Sequence, residues 1–184
     1  MTIRPLCIAL FAALAVPSFV AAQAQHAHVH GQAFVDVAVD AGVVEINLRA
    51  TAQDLVGFER AAATPEEEAQ VLAARKAVLD HARLWQFNAA ARCVAEGPVL
   101  EVPGAGEAHD HDHDHEGHDD HVAHSDWTVR YRFRCAAPEA LRAIDSGMFA
   151  VFPSLQSATV QVLDATGARE ETLTASANRL TLAQ

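Results

Sequence analysis

Apolar residues fall at every second position from Ala33 to Val39, with Val35, Val37 and Val39 on one side, and again at Val44, Ile46 and Leu48. Asp40-Ala41-Gly42 lies between the two runs with turn chemistry, so the pattern predicts a β-hairpin. The period then lengthens. Thr64 stands as an N-cap before Pro65, and Glu67 follows three residues later to complete a capping box, with Glu66 and Glu68 favourable beside the positive helix end. This predicts a helix running to about Trp85, with Val71, Ala74, Val78, Ala82 and Trp85 as the stripe that packs on a sheet.

Cys93, Val94, Val99, Leu100 and Val102 predict strand, and Pro103-Gly104-Ala105-Gly106 ends it. Regularity resumes with Trp127, Val129, Tyr131 and Phe133 on one face and Thr128, Arg130, Arg132 and Arg134 on the other, up to Cys135. Pro138 is expected to open a shorter helix with Leu141 and Ile144 inward, ended by Ser146-Gly147 and followed by apolar Met148 to Phe152. Ala158 to Leu163 and Ala168 to Thr174 read as a second hairpin across Ala165-Thr166-Gly167, with a last strand near Leu180. The expectation is an α+β fold: one domain, a mainly antiparallel sheet with two helices packed on one face, and a disordered His/Asp-rich loop.

The first residues change the picture of where this domain works. Arg4 gives a positive start, an apolar stretch runs from about Leu6 to Val20, and Ala22-Gln23-Ala24 offers a small-x-small cleavage site. That reads as a secretory signal over residues 1–24, which leaves a domain at 25–184 with its loop at 104–126. The run is interrupted by Pro17 and is short for a helix of about 20 residues spanning a bilayer. Cys7 lies at its start, not at its end, and is no lipid attachment site, so no membrane anchor is expected. The remaining pair, Cys93 and Cys135, reads as a disulfide in an oxidising compartment, stapling the base of the segment between them. Closing a loop of roughly 40 residues is worth about 4 kcal/mol in the chain-entropy model.

The formal charge of -11 is largely one segment. Glu101, Glu107, Asp110, Asp112, Asp114, Glu116, Asp119, Asp120 and Asp126 supply nine negative charges with no Lys or Arg among them. Nucleic acid needs a basic surface, so a cationic partner fits and a polyanion does not.

Ten of the eleven histidines lie in two clusters. The loop holds His109, His111, His113, His115, His118, His121 and His124; the tail holds His26, His28 and His30. Neutral imidazole is a common donor to zinc, which takes three or four N, O or S ligands at about 2.0–2.2 Å for N and O. The interleaved Asp110, Asp112 and Asp114 offer further ligands or accept the second ring N–H. Seven imidazoles could hold two or three ions, if each takes about three histidines or a His/Asp mixture. An EF-hand reading of the same aspartates fails, because the glycine position holds His115 and the closing glutamate position holds His121. His26, His28 and His30, if extended, point to one side about 6.6 Å apart. His81 has no histidine neighbour and reads as a surface residue. No arrangement of nucleophile, base and phosphate loop marks an enzyme, and Asp54 and Glu59 read as solvated carboxylates.

His26-Ala27-His28-Val29-His30-Gly31, Asp54-Leu55-Val56-Gly57-Phe58-Glu59, Tyr131-Arg132-Phe133-Arg134-Cys135 and Met148-Phe149-Ala150-Val151-Phe152-Pro153 together resemble the ZrgA-type exported zinc-uptake accessory proteins. The resemblance covers nearly the whole mature chain and includes a His-rich insert between the two cysteines. It implies a periplasmic location in a Gram-negative bacterium, Zn²⁺ as the cargo and support of a high-affinity importer, with its solute-binding component as a partner. The choice of zinc comes from the resemblance, since imidazole binds Cu²⁺ more tightly and Ni²⁺ comparably. Two rival readings are a metal-regulated envelope adaptor and a copper- or nickel-sequestering protein. Binding is expected to weaken as pH falls through about 6–7, since protonated imidazole does not ligate.

Overall fold

The computed structural model describes residues 29–101 and 126–182. In chain order its strands and helices are β1 (Gln32–Asp40), β2 (Val43–Thr51), α1 (Ala52–Leu55), α2 (Pro65–Leu79), α3 (His81–Leu84), β3 (Trp85–Phe87), β4 (Cys93–Ala95), β5 (Val99–Glu101), β6 (Asp126–Cys135), β7 (Ala143–Ser146), α4 (Met148–Val151), β8 (Ser157–Asp164), β9 (Gly167–Thr174) and β10 (Arg179–Thr181). Among the described residues, seven strands form one sheet in the order β4-β6-β2-β1-β8-β9, with β5 also pairing β6. A second sheet has the order β10-β7-β3.

Both predicted hairpins form, β1 with β2 and β8 with β9. They meet through β1 and β8, which run parallel from Gln32 opposite Ser157 to Ala38 opposite Leu163. The sheet is therefore mixed, although every other pairing is antiparallel. Alternation along each strand builds the core in rows. Val129, Leu48, Val35 and Val160 form one row across four strands, and Tyr131, Ile46, Val37 and Val162 the next. All eight are buried, and fully burying one such aliphatic side chain contributes roughly 1.5–3 kcal/mol.

The sequence predicts two helices, and the structure differs in number and bounds. Among the described residues there are four, and α2 alone is longer than one turn. Its start is as expected, with the Thr64 side chain accepting from Glu67 N at 3.2 Å and Pro65 at the first position. It ends at Leu79 and does not reach Trp85, because Asp80 leaves helical geometry (ψ 73°) and its carboxylate accepts from Arg83 N at 3.3 Å, capping α3. Ala74 and Val78 of α2 are buried as expected, while Ala82 is exposed. Tyr131 of β6 donates its hydroxyl to the Val78 carbonyl at 2.6 Å and ties α2 to the sheet. Burial raises the phenol above its ordinary pKa.

The helix expected after Pro138 is a single 3₁₀ turn at Pro138–Ala140 followed by β7, which pairs with β3 and β10. Leu141 and Ile144 are inward as predicted; a spacing of three fits a helix, but these two residues belong to different segments of backbone. Gly147 does not end a helix. A Cβ there would lie 2.0 Å from the Arg83 carbonyl oxygen, so glycine is what lets the second sheet close onto α3. Among the described residues no helix is long and apolar enough to cross a membrane.

Candidate metal-binding end of the sheet

Strand register brings the described residues that flank the two histidine-bearing segments to one end of the main sheet. The tail joins the fold at β1, whose Gln32 stands beside Ser157. The segment between the cysteines departs after Glu101, which faces Thr128, and re-enters at Asp126, which faces Thr51 at the end of β2. Val29 and Asp126 accordingly line one small hollow with Gln32, Phe34 and Thr51. Residues nearly a hundred positions apart share a surface because β2 ends and β6 begins at the same level.

The tail enters this end through a built anchor. Gly31 has φ +80°, a conformation open to glycine, and every polar group of its backbone is used. Its N–H donates to Asp54 Oδ1 at 2.7 Å, and its carbonyl accepts from Gln156 N at 2.8 Å and Ser157 N at 3.1 Å. Asp54 itself is 5% exposed. It sits on α1, where the Thr51 hydroxyl donates to Asp54 Oδ2 at 3.0 Å and Asp54 N donates to Thr51 Oγ1 at 3.2 Å. Two segments far apart in the chain, His30-Gly31 and Asp54 to Glu59, thus meet. Past the turn at Gly57, Glu59 Oε1 lies 3.1 Å from His30 Nε2. The imidazole is 57% exposed and the Glu59 side chain 13%.

Asp54 and Glu59 are therefore not solvated carboxylates, and the sequence reading is corrected on both. The signal that was available for Asp54 is the Thr51-x-x-Asp54 spacing, a capping-box pattern. Nothing local marks Glu59, because its partner is 29 positions away.

The cysteines do form a disulfide, Cys93 to Cys135, as a directly opposed pair on β4 and β6. Its place corrects the expectation that it staples the base of the loop. At about 3.3 Å per residue, the two ends of the ten-residue strand β6 lie about 30 Å apart. Cys135 is at one and Asp126 at the other. The base is closed by the β5–β6 pairing, where Arg130 reaches Glu101.

Arg132 pairs with Glu45 and, through Nε, with Glu96 at 2.8 Å; Arg134 Nε meets the other oxygen of Glu96 at 2.9 Å. Arg134 first, then Arg132, hold the Glu96 carboxyl below the ordinary carboxylate range. The arginine stripe is thus the wet face of the sheet, its charges matched by neighbouring strands. His81 is half-buried rather than a surface residue, its ring edge-on to Phe133 at 6.0 Å between centroids.

Of the predicted ligands, His30 is described. His26, His28, His109, His111, His113, His115, His118, His121 and His124, with Asp110, Asp112 and Asp114, lie outside the described residues, as does the signal at 1–24. Among the described residues no group of three or more His, Cys, Asp or Glu is gathered to hold a metal. Comparison with curated proteins finds no match. A family model described as ZrgA family zinc uptake protein matches residues 27–182.

Proposed function

The chain belongs to the ZrgA family of zinc uptake proteins, and on that premise we propose that it is an exported, non-catalytic carrier that captures Zn²⁺ through its two histidine clusters. The ligands are His26, His28 and His30 of the tail, and His109, His111, His113, His115, His118, His121 and His124 with Asp110, Asp112 and Asp114 between the cysteines. The observation that carries the reading is the convergence of both attachment points, Val29 and Asp126, on one hollow at one end of the sheet. Tethering two sets of donors at neighbouring points raises the effective concentration of each for an ion held by the other.

Exchange among several such donors, rather than one closed four-ligand cage, suits a protein that holds zinc briefly and passes it on. The recipient is the solute-binding component of a zinc importer in the periplasm. Export follows from the signal at residues 1–24, and the acidic surroundings of the loop histidines favour a divalent cation over an anion.

Calorimetric titration of the mature protein with Zn²⁺, Cu²⁺ and Ni²⁺ tests this, comparing the full chain with a version lacking residues 108–125. The expected result is a loss of about two bound zinc ions on deletion, with the tail site retained. Undiminished zinc stoichiometry would remove the loop from the account. Binding of Cu²⁺ or Ni²⁺ in cells, to the exclusion of zinc, would replace uptake by sequestration.

A further inference from the structure

His30 differs from a donor on a free tail, because the fold holds both its backbone and its ring. Three hydrogen bonds fix the neighbouring Gly31 peptide, to Asp54 Oδ1 and from Gln156 N and Ser157 N. The ring nitrogen Nε2 lies 3.1 Å from Glu59 Oε1. A carboxylate only accepts, so a neutral imidazole in this pair carries its proton on Nε2 and its lone pair on Nδ1. The ring is more than half exposed while the carboxylate is mostly enclosed, so an ion arriving from solvent meets the imidazole and not the oxygen behind it. Metal-bound histidines commonly donate their second N–H to a carboxylate, which sets the tautomer and raises donor strength.

We propose that Glu59 is the positioning residue of a zinc site at the tail, holding His30 with Nδ1 as the metal-binding atom. The proposal rests on the reading that the tail takes zinc, and it adds what that reading lacks: one preset donor, anchored to the folded domain. Asp54 is the reason the position of His30 is fixed.

The test uses the full mature chain with His30→Gln, Glu59→Gln and Glu59→Ala. Long-range ¹⁵N correlation spectra of the metal-free protein read the tautomer directly, chelator competition reads Zn²⁺ affinity, and the visible spectrum of bound Co²⁺ reads the donor set. The expected results are an Nε2–H tautomer at His30, loss of one zinc site in His30→Gln, and a 10–100-fold weaker site in Glu59→Ala with the Co²⁺ donor set unchanged. Glu59→Gln, which keeps shape and an accepting oxygen, should fall between Glu59→Ala and the parent.

If His30→Gln keeps every site, the tail reading itself fails. If His30→Gln loses a site while both Glu59 variants keep tautomer and affinity, the tail reading stands and the positioning role is overturned. If Glu59→Ala instead changes the Co²⁺ donor set, Glu59 is a direct ligand and the positioning role is again overturned.

Discussion

At its C-terminal end β6 is joined covalently to β4 through Cys135 and Cys93, and packed against Ala91, Leu141 and their neighbours in the core. At its N-terminal end, about 30 Å away, the same strand begins at Asp126 beside Thr51, the tail root and the Glu59–His30 pair. Among the described residues, the first end carries the cross-link and the second carries His30, the one described member of the proposed ligand set. A disulfide acts mainly by restricting the unfolded chain, so it stabilises the whole domain wherever the bridge lies. The covalent brace thus lies away from the end of the sheet at which ion capture is proposed.

The strongest test of that division removes the bridge. Replacing Cys93 and Cys135 by Ala should lower unfolding stability by about 4 kcal/mol, the entropy of a 42-residue closure, measured by denaturant titration. Zinc stoichiometry at a temperature where the variant is folded should be unchanged. A loss of zinc sites in the folded variant would mean that the two ends are coupled.

A smaller effect is expected from the other end. Asp54→Ala leaves the buried Gly31 N–H without its acceptor and frees the Thr51 hydroxyl, which should cost about 1–3 kcal/mol. Unlike the cysteine pair, this change should also speed hydrogen exchange at Gly31 and weaken zinc binding by the tail. Unaltered exchange at Gly31 would show that the anchor does not hold the tail.

The smallest effect belongs to a contact in neither region. Glu67, at the start of α2, accepts from Arg60 Nη1 at 2.8 Å and from Ala63 N at 2.7 Å. These bonds, that of Arg60 foremost, lower its carboxyl to about 2. A depressed folded-state pKa gives stability that is present above the unfolded value of about 4.3 and lost as pH falls through about 2. The stability difference between the parent and Glu67→Gln should shrink over that window in an acid titration followed by circular dichroism. Zinc stoichiometry at neutral pH should be the same in the parent and in Glu67→Gln.

Legibility in the sequence followed the range of the interaction. The two hairpins, the Thr64 cap of α2 and the alternation along β6 are written in residues a few positions apart, and each formed as read. The cysteine pairing was also legible, because with Cys7 assigned to the signal, Cys93 and Cys135 allow one internal bridge. The end of α2 was misjudged because Asp80, a plausible helix residue beside His81, instead caps a new turn. β7 is not legible because the spacing of Leu141 and Ile144 fits a helix, and what makes Ala143–Ser146 a strand is the presence of β3 and β10 on both sides.

What the amino acids determined by themselves is the chemistry available: clustered imidazoles and carboxylates, an amphipathic β pattern, and one pair of thiols to bridge. Only the tertiary structure decided the arrangement: the parallel meeting of β1 with β8, the disulfide at the end of β6 opposite to Asp126, and Glu59 beside His30. Periodicity records which face of a strand is apolar, but it carries no information about which strand lies alongside. That choice is made by the summed burial and backbone pairing of segments distant in sequence, and the same choice put Asp54 and Glu59 beneath the tail.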